Sequence, residues 1–360
     1  MDNIDHNMKS NAIWHTVLAI LLLTALVRAE TPAQASAEET RKAFLAIIDR
    51  PKVDLAPRVD SQAIDDGMPK FHFTYASDAG ERVPGILLAK DDILKDGKRH
   101  PAVIVLHGTG GSKESEVGVL RRLAEKSFIG VAIDGRYHGE RGKQADYNAA
   151  IAKAFEDGKA HPLYFDTVWD ITRLIDYLQS RPDVDGKRIG LMGISKGGIE
   201  TWLTAAVDPR VACAIPCISV QSFNWGLEND AWHNRIGTVK RGFDAAAKSA
   251  GVDKPGADFV RRFYDRLLPG IYTRFDGPAM LPLIAPRPLL VISGEKDPIN
   301  PLPGLRLCEE TTTAAYAKAD APEKFKVIVE PNTGHNVTPD AHAAAVEWFV
   351  KWLGGGEGKE

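Results

Sequence analysis

The chain has 360 residues, of which 44 % are hydrophobic and 26 % charged. That balance excludes disordered, collagen-like and coiled-coil classes and is enough to bury a real core. With 45 Lys+Arg against 48 Asp+Glu the net charge is −3, so no basic excess exists to neutralise a phosphate backbone and nucleic acid is not an expected partner. The three cysteines are too few for a disulfide scaffold or a four-cysteine zinc site.

Residues 1–29 read as a secretory signal peptide. Lys9 precedes the apolar run over 17–27, and small residues follow at Val27-Arg28-Ala29 and again at Ala33-Gln34-Ala35. The run is short for a bilayer-spanning helix. The expected location is therefore secreted or periplasmic, with no stable membrane insertion after cleavage. The alternative is a membrane anchor left uncleaved.

From residue 30 to 353 the pattern alternates between strands and helices. Phe71–Ala76 and Val83–Lys90 predict an antiparallel pair. Pro101–Leu106 and Ile129–Ile133 are continuous apolar runs, as in strands covered on both faces. Ser115–Lys126 and Asp166–Gln179 carry helical spacing. Ile189–Met192 predicts a short strand and Lys196–Val207 a helix. Val211–Ile218, Pro288–Ser293 and Phe325–Glu330 predict further strands. A last helix is capped by Thr338, has Pro339 at its first position and stops at Gly354. This order predicts an α/β fold with a mostly parallel central sheet and helices on both faces. Residues 219–283 break the alternation with aromatic and charged residues and predict a helical insertion or cap. The glycine-rich tail 354–360 is expected to be disordered. Cys213 and Cys217 lie four strand steps apart, about 13 Å, beyond the roughly 7 Å a disulfide spans. Free, buried thiols are expected at both, and Cys308 is expected to pack in a helix.

The chemistry concentrates at strand ends. Gly193-Ile194-Ser195-Lys196-Gly197 lies between a predicted strand and a predicted helix, the context of a nucleophile elbow. Its serine occupies a strained turn, so the residues two before and two after it need to be nearly without side chains. His107-Gly108-Thr109-Gly110-Gly111 follows the strand ending at Leu106. It is read as an oxyanion loop, its Thr109 amide favoured and Gly110 second, completed by the amide of Lys196. The spacing fits neither a dinucleotide fingerprint nor a P-loop. His107 precedes the nucleophile and is read as structural.

Serine is a weak nucleophile and needs an imidazole base, itself oriented by a carboxylate. Asp297, in Gly294-Glu295-Lys296-Asp297-Pro298, and His335, in Gly334-His335, supply these after the next two strands. Glu295 competes with Asp297 for the acid. The chain holds ten histidines. Only His335 and His342 follow Asp297, and His342 falls inside a predicted helix. Trp225 and Trp232 are candidates either for a substrate cleft or for the core of the insertion. Asp134, Arg136, Glu140 and Arg141 predict a buried ion-pair network bracing the neighbouring loop. No metal-ligand spacing is present and no cofactor is implied.

These motifs, with the Asp134-Gly135-Arg136-Tyr137-His138-Gly139 loop, resemble the α/β-hydrolase superfamily over about residues 70–353. Within it, the chain looks most like the dienelactone hydrolase and acetyl xylan esterase-like branch. The resemblance implies a serine hydrolase that cleaves carboxylic esters through an acyl-enzyme, with a small-molecule or carbohydrate ester as substrate. The alternatives are a peptidase of the prolyl oligopeptidase-like type and a non-catalytic binding protein. Dienelactone hydrolases proper use cysteine where this chain has Ser195.

Overall fold

A computed structural model describes residues 36–354. The expected signal peptide and the tail beyond Gly354 lie outside the described residues. Nine strands form one sheet in the order β1-β2-β3-β5-β4-β6-β7-β8-β9. They are β1 (Arg58–Asp65), β2 (Met68–Asp78), β3 (Glu81–Leu88), β4 (His100–Leu106), β5 (Ile129–Ile133), β6 (Val184–Ile194), β7 (Val211–Cys217), β8 (Leu289–Gly294) and β9 (Phe325–Glu330). β1, β2, β3 and β5 pair antiparallel. From β5 through β4 to β9 every pairing is parallel. This is the α/β-hydrolase fold.

The strand interiors show why the sheet needs cover on both sides. In β4, Ala102, Ile104 and Leu106 belong to one apolar cluster while Val103 and Val105 belong to the other. Successive side chains leave a strand on opposite faces, so a continuous apolar run must be buried twice. The first face is closed by α1 (Ala37–Ile48), α4 (Gln144–Asp157), α5 (Phe165–Ser180) and α6 (Lys196–Val207). The second is closed by α3 (Val117–Glu125) and the C-terminal helix α13 (Pro339–Leu353). Thr338 accepts the Ala341 N–H as the N-cap of α13, with Pro339 at its first position. The short α2 (Asp91–Lys95) links β3 to β4.

Between β7 and β8 the chain passes through α7 (Phe223–Glu228), α8 (His233–Gly237), α9 (Lys240–Ser249), α10 (Ala257–Leu267) and α11 (Gly277–Met280). Their buried aromatic residues, among them Phe223, Phe243, Phe259, Phe263 and Tyr264, merge with the cluster on the α5/α6 face. α12 (Leu302–Lys318) follows β8 and carries the buried Cys308. Cys213 and Cys217 on β7 are likewise buried and free.

Four elements lie outside the sequence expectations, the short α2 among them. β1 is almost wholly exposed and carries no apolar alternation. It is a strand because β2 offers it a hydrogen-bonding edge, which local sequence does not display. α1 and α4 are amphipathic helices over stretches to which the sequence reading assigned no element.

One buried carboxyl makes a stability prediction. Glu116 closes the short turn before α3, is only 3 % exposed, and burial pushes its pKa up to about 7. A carboxyl whose folded pKa is raised contributes stability below its ordinary value of 4.5. That contribution is lost as pH rises through about 7. Glu116→Gln is therefore expected to gain up to about 3 kcal/mol at pH 8 relative to the wild type and little at pH 4.5. Thermal melts of both proteins across that range check it; a gain of equal size at both ends would contradict it.

Candidate active site

Ser195 joins β6 to α6 with φ +54° and ψ −110°. Serine reaches this region only under constraint, and the constraint is visible. Its own N–H donates to the Cys217 carbonyl at 2.9 Å. A Cβ on Gly193 would run into the Gly197 carbonyl, and one on Gly197 into the Leu106 carbonyl. The two glycines are thus needed for the turn to close against its neighbours.

Ser195, His335 and Asp297 come together. The Ser195 Oγ lies 2.8 Å from His335 Nε2, and His335 Nδ1 lies 2.8 Å from Asp297 Oδ2. His335 sits in the loop after β9 and Asp297 in the turn after β8. The partners assign the tautomer: Nδ1–H donates to the carboxylate, which leaves Nε2 to accept the serine proton. Asp297 Oδ1 accepts the N–H groups of Ile299 at 2.8 Å and Asn300 at 3.2 Å. Burial alone would raise its pKa, but hydrogen bonds from His335 and Asn300 outweigh burial and hold the carboxyl below the usual range. Glu295, the competing acid, instead accepts the Asn332 N–H at 2.7 Å.

The glycine loop after β4 approaches the elbow closely. A Cβ on Gly108 would lie 3.4 Å from the Ile194 carbonyl and 3.6 Å from Ser195 Cβ. Thr109 lines the cavity in front of Ser195. Gly110 has φ +80° and closes a turn in which the Gly111 N–H donates to the Gly108 carbonyl at 3.0 Å. His107 braces this loop. Its Nδ1–H donates to the Gly108 carbonyl at 2.8 Å and its Nε2 accepts the Gly135 N–H at 3.0 Å. Burial first, then the nearby Lys196 ammonium, hold its pKa down to about 4, so the ring is neutral and can accept at Nε2. The Lys196 side chain, 1 % exposed, is engaged with Glu200 one turn along α6. Its backbone N–H stands at the first position of that helix, where helix amides favour negative charge.

The cavity over Ser195 has a volume of about 460 Å³. Ile194, Ile218, Ile299 and Val337 give it apolar walls, and Thr109, Thr238, Asn336 and His342 add neutral polar groups. Among the described residues, no aspartate, glutamate, lysine or arginine lines it. Trp225 and Trp232, candidates for a substrate cleft, are not among its lining residues. The Trp225 ring packs over Gly304 at the start of α12. Trp232 lies against the apolar cluster and its own neighbour His233, with ring centroids 3.7 Å apart. Trp225 thus packs on α12 and Trp232 on the helical segment, and both are half-buried.

Sequence reading misses Asn300 and Ile218; His342, set aside there as a base because it falls inside a helix, lines the cavity. Ile218 is β-branched yet has φ +44°, a conformation costing of order 1–2 kcal/mol. Asn300 stands three residues after Asp297, the spacing at which a side chain can fold back on a turn; that was its one local signal.

Arg136 and Arg141 form an ion-pair network, but with a different acid from the one expected. Both bind the fully buried Asp170 of α5; Arg136 also pairs with Asp78 at 3.1 Å and Arg141 with Glu81 at 2.7 Å. Asp134 and Glu140 instead receive Lys113, Asp134 at 2.9 Å and Glu140 at 2.5 Å.

A strained serine at a strand-to-helix turn, joined through imidazole to a carboxylate below an apolar cavity, places the protein among hydrolases of the α/β-hydrolase fold. Comparison with known proteins gives the family. The acetyl xylan esterase (AXE1) family model matches residues 47–229, half of the chain, and the BAAT / acyl-CoA thioester hydrolase C-terminal model matches residues 172–343. The chain belongs to the acetyl xylan esterase (AXE1) family and is a carboxylic ester hydrolase. It is 32 % identical over 267 residues to YtaP of Bacillus subtilis (strain 168), a protein named as a hydrolase, covering 70 % of this chain and 79 % of the relative. It is 26 % identical over 264 residues to YitV of the same organism, named as an esterase, covering 72 % and 94 %. The acetyl xylan esterase from Paenibacillus sp. R4 superposes with a TM-score of 0.66 at 19 % identity, over 87 % of this chain and 93 % of that one. At that identity the superposition bears on the fold.

Proposed function

We propose that this protein is a serine esterase that removes small neutral acyl groups, acetyl foremost, from carbohydrate or other small alcohols. The supporting observation is the unbroken line from Ser195 Oγ through His335 to Asp297, 2.8 Å at each step. Ser195 attacks the ester carbonyl while His335 Nε2 takes its proton. The ionised Asp297 stabilises the imidazolium that results. The Lys196 and Thr109 amides, with Gly110 beside them, receive the oxyanion, each donor worth about 3 kcal/mol in comparable sites. His335 returns the proton to the leaving alcohol, and water then releases the acid by the same route in reverse.

The apolar walls and the absence of charged lining residues support a neutral acyl group, because a charged one would lose its hydration without a partner. The acetyl and carbohydrate part of the reading rests on the family. The basic and apolar N-terminal sequence supports export by a signal peptide. Among the described residues no helix is long and apolar enough to cross a membrane.

The test is hydrolysis of p-nitrophenyl acetate, butyrate and hexanoate, alongside labelling with a fluorophosphonate probe and peptide mapping. The expected result is turnover highest with acetate and a label on Ser195. A label on another residue, or no turnover of any of the three esters, would reject the proposal.

A further inference from the structure

We infer that Asn300 is a positioning residue of this site, locking the Asp297 carboxylate and the Ile218 wall of the cavity together under the control of Arg235. The inference rests on the serine-esterase reading and goes beyond the triad.

Asn300 is completely buried, and its neighbours leave its amide one orientation. Arg235, buried in α8, donates to Asn300 Oδ1. Guanidinium only donates, so the amide oxygen must face it and the amide nitrogen must face away. That nitrogen has two hydrogens and meets two acceptors, Asp297 Oδ2 at 2.9 Å and the Ile218 carbonyl at 2.7 Å. Every hydrogen-bonding group of the side chain is therefore used.

Both acceptors matter to the reaction. Asp297 Oδ2 is the oxygen that also accepts from His335 Nδ1. Asn300 Nδ2 approaches that ring nitrogen to 3.4 Å, as two donors converging on one shared oxygen do. The carboxylate is thereby pinned independently of the imidazole, so it does not follow when His335 takes up and returns a proton. Ile218 lines the cavity and sits at a backbone angle it would not choose. Its N–H is tied to the Ile292 carbonyl at 2.7 Å and its C=O to Asn300. One amide thus holds both the orienting acid and a strained wall of the pocket.

Arg235 supplies the anchor from the helical segment between β7 and β8. It has no acidic partner among the described residues; its donors reach Asn300 and the Ile299 carbonyl at 3.4 Å. Gln221, with its amide turned to suit its neighbours, adds an acceptor 3.0 Å from two of the guanidinium nitrogens. The helical segment is in this way coupled to the acid without touching the reacting atoms.

The experiment compares wild type, Asn300→Ala and Asn300→Asp with p-nitrophenyl acetate, expressing kcat per site titrated by fluorophosphonate. Asn300→Asp is isosteric and keeps an oxygen for Arg235, so it reads the inference even where the alanine variant folds poorly. It replaces the donor facing Asp297 and Ile218 with an acceptor. For both variants kcat per titrated site is expected to fall roughly 10- to 100-fold, the scale of a misplaced catalytic geometry, with KM within about threefold. The downfield proton resonance of the His335–Asp297 hydrogen bond is expected to shift or broaden. A merely structural role would lower the titre and leave kcat per site and the resonance unchanged; that result overturns the inference. Failure of the underlying reading looks different, because wild type itself would then not be titrated at Ser195.

Discussion

Replacing Ser195 by alanine is expected to reduce ester hydrolysis by roughly 10⁴- to 10⁶-fold, the range found when a working serine triad loses its nucleophile. Alanine retains the Cβ that the turn accommodates, so the elbow, with the Ser195 N–H on the Cys217 carbonyl and both flanking glycines, is preserved. The melting temperature should stay within a few degrees of wild type. Substrate binding should persist, because the isoleucine walls and the loop at Thr109 do not depend on the hydroxyl. What disappears is the atom proposed to form the acyl-enzyme. Residual turnover is then limited to water attacking an ester held against the donor amides. The measurement is kcat on p-nitrophenyl acetate together with fluorophosphonate labelling. A variant that keeps more than about one hundredth of wild-type turnover at full folding would show that another group carries the chemistry.

What was legible in the sequence follows from how local each feature is. The elbow is announced by Gly193 and Gly197 because the turn cannot close around side chains there, and the requirement is written within five residues. Ser195, Asp297 and His335 each follow a strand, so the parallel sheet carries them to one edge from distant points in the chain. Asn300 could not be identified in the same manner. Its role depends on Ile218 and Arg235, which reach it only through tertiary folding. Trp225 and Trp232 show the opposite difficulty: a flat apolar ring suits a pocket wall and a core equally, and only packing reveals which side it faces. The acid of the arginine network was mistaken for its sequence neighbours Asp134 and Glu140. The true partner, Asp170, lies on α5, whose helical face was recognised from its apolar residues alone.

That network gives the second large effect. Asp170 receives Arg136 through two hydrogen bonds, of 2.9 and 3.1 Å, and Arg141 through one of 2.8 Å. Burial would push its pKa up, but the two guanidinium groups hold it well below the usual carboxylate range. A depressed carboxylate contributes stability above its ordinary pKa of 3.8, lost as pH falls below that value. Asp170→Ala is expected to destabilise the fold by about 3 kcal/mol at pH 7, because two buried cations lose their fully buried counter-charge and keep only the more exposed Asp78 and Glu81. The damage should also reach the chemistry. Arg136 lies within the turn that begins at Gly135 and Arg141 follows it, and the Gly135 N–H is the group that fixes His107. His107 in turn holds the Gly108 carbonyl, next to the amide read as an oxyanion donor. Urea unfolding and kcat per titrated site, measured on the same preparation, separate the two effects. The expected pattern is a lower unfolding midpoint with a reduced kcat in the molecules that remain folded. Loss of stability with unchanged kcat per site would show that the ion network supports the fold without setting the position of the oxyanion loop.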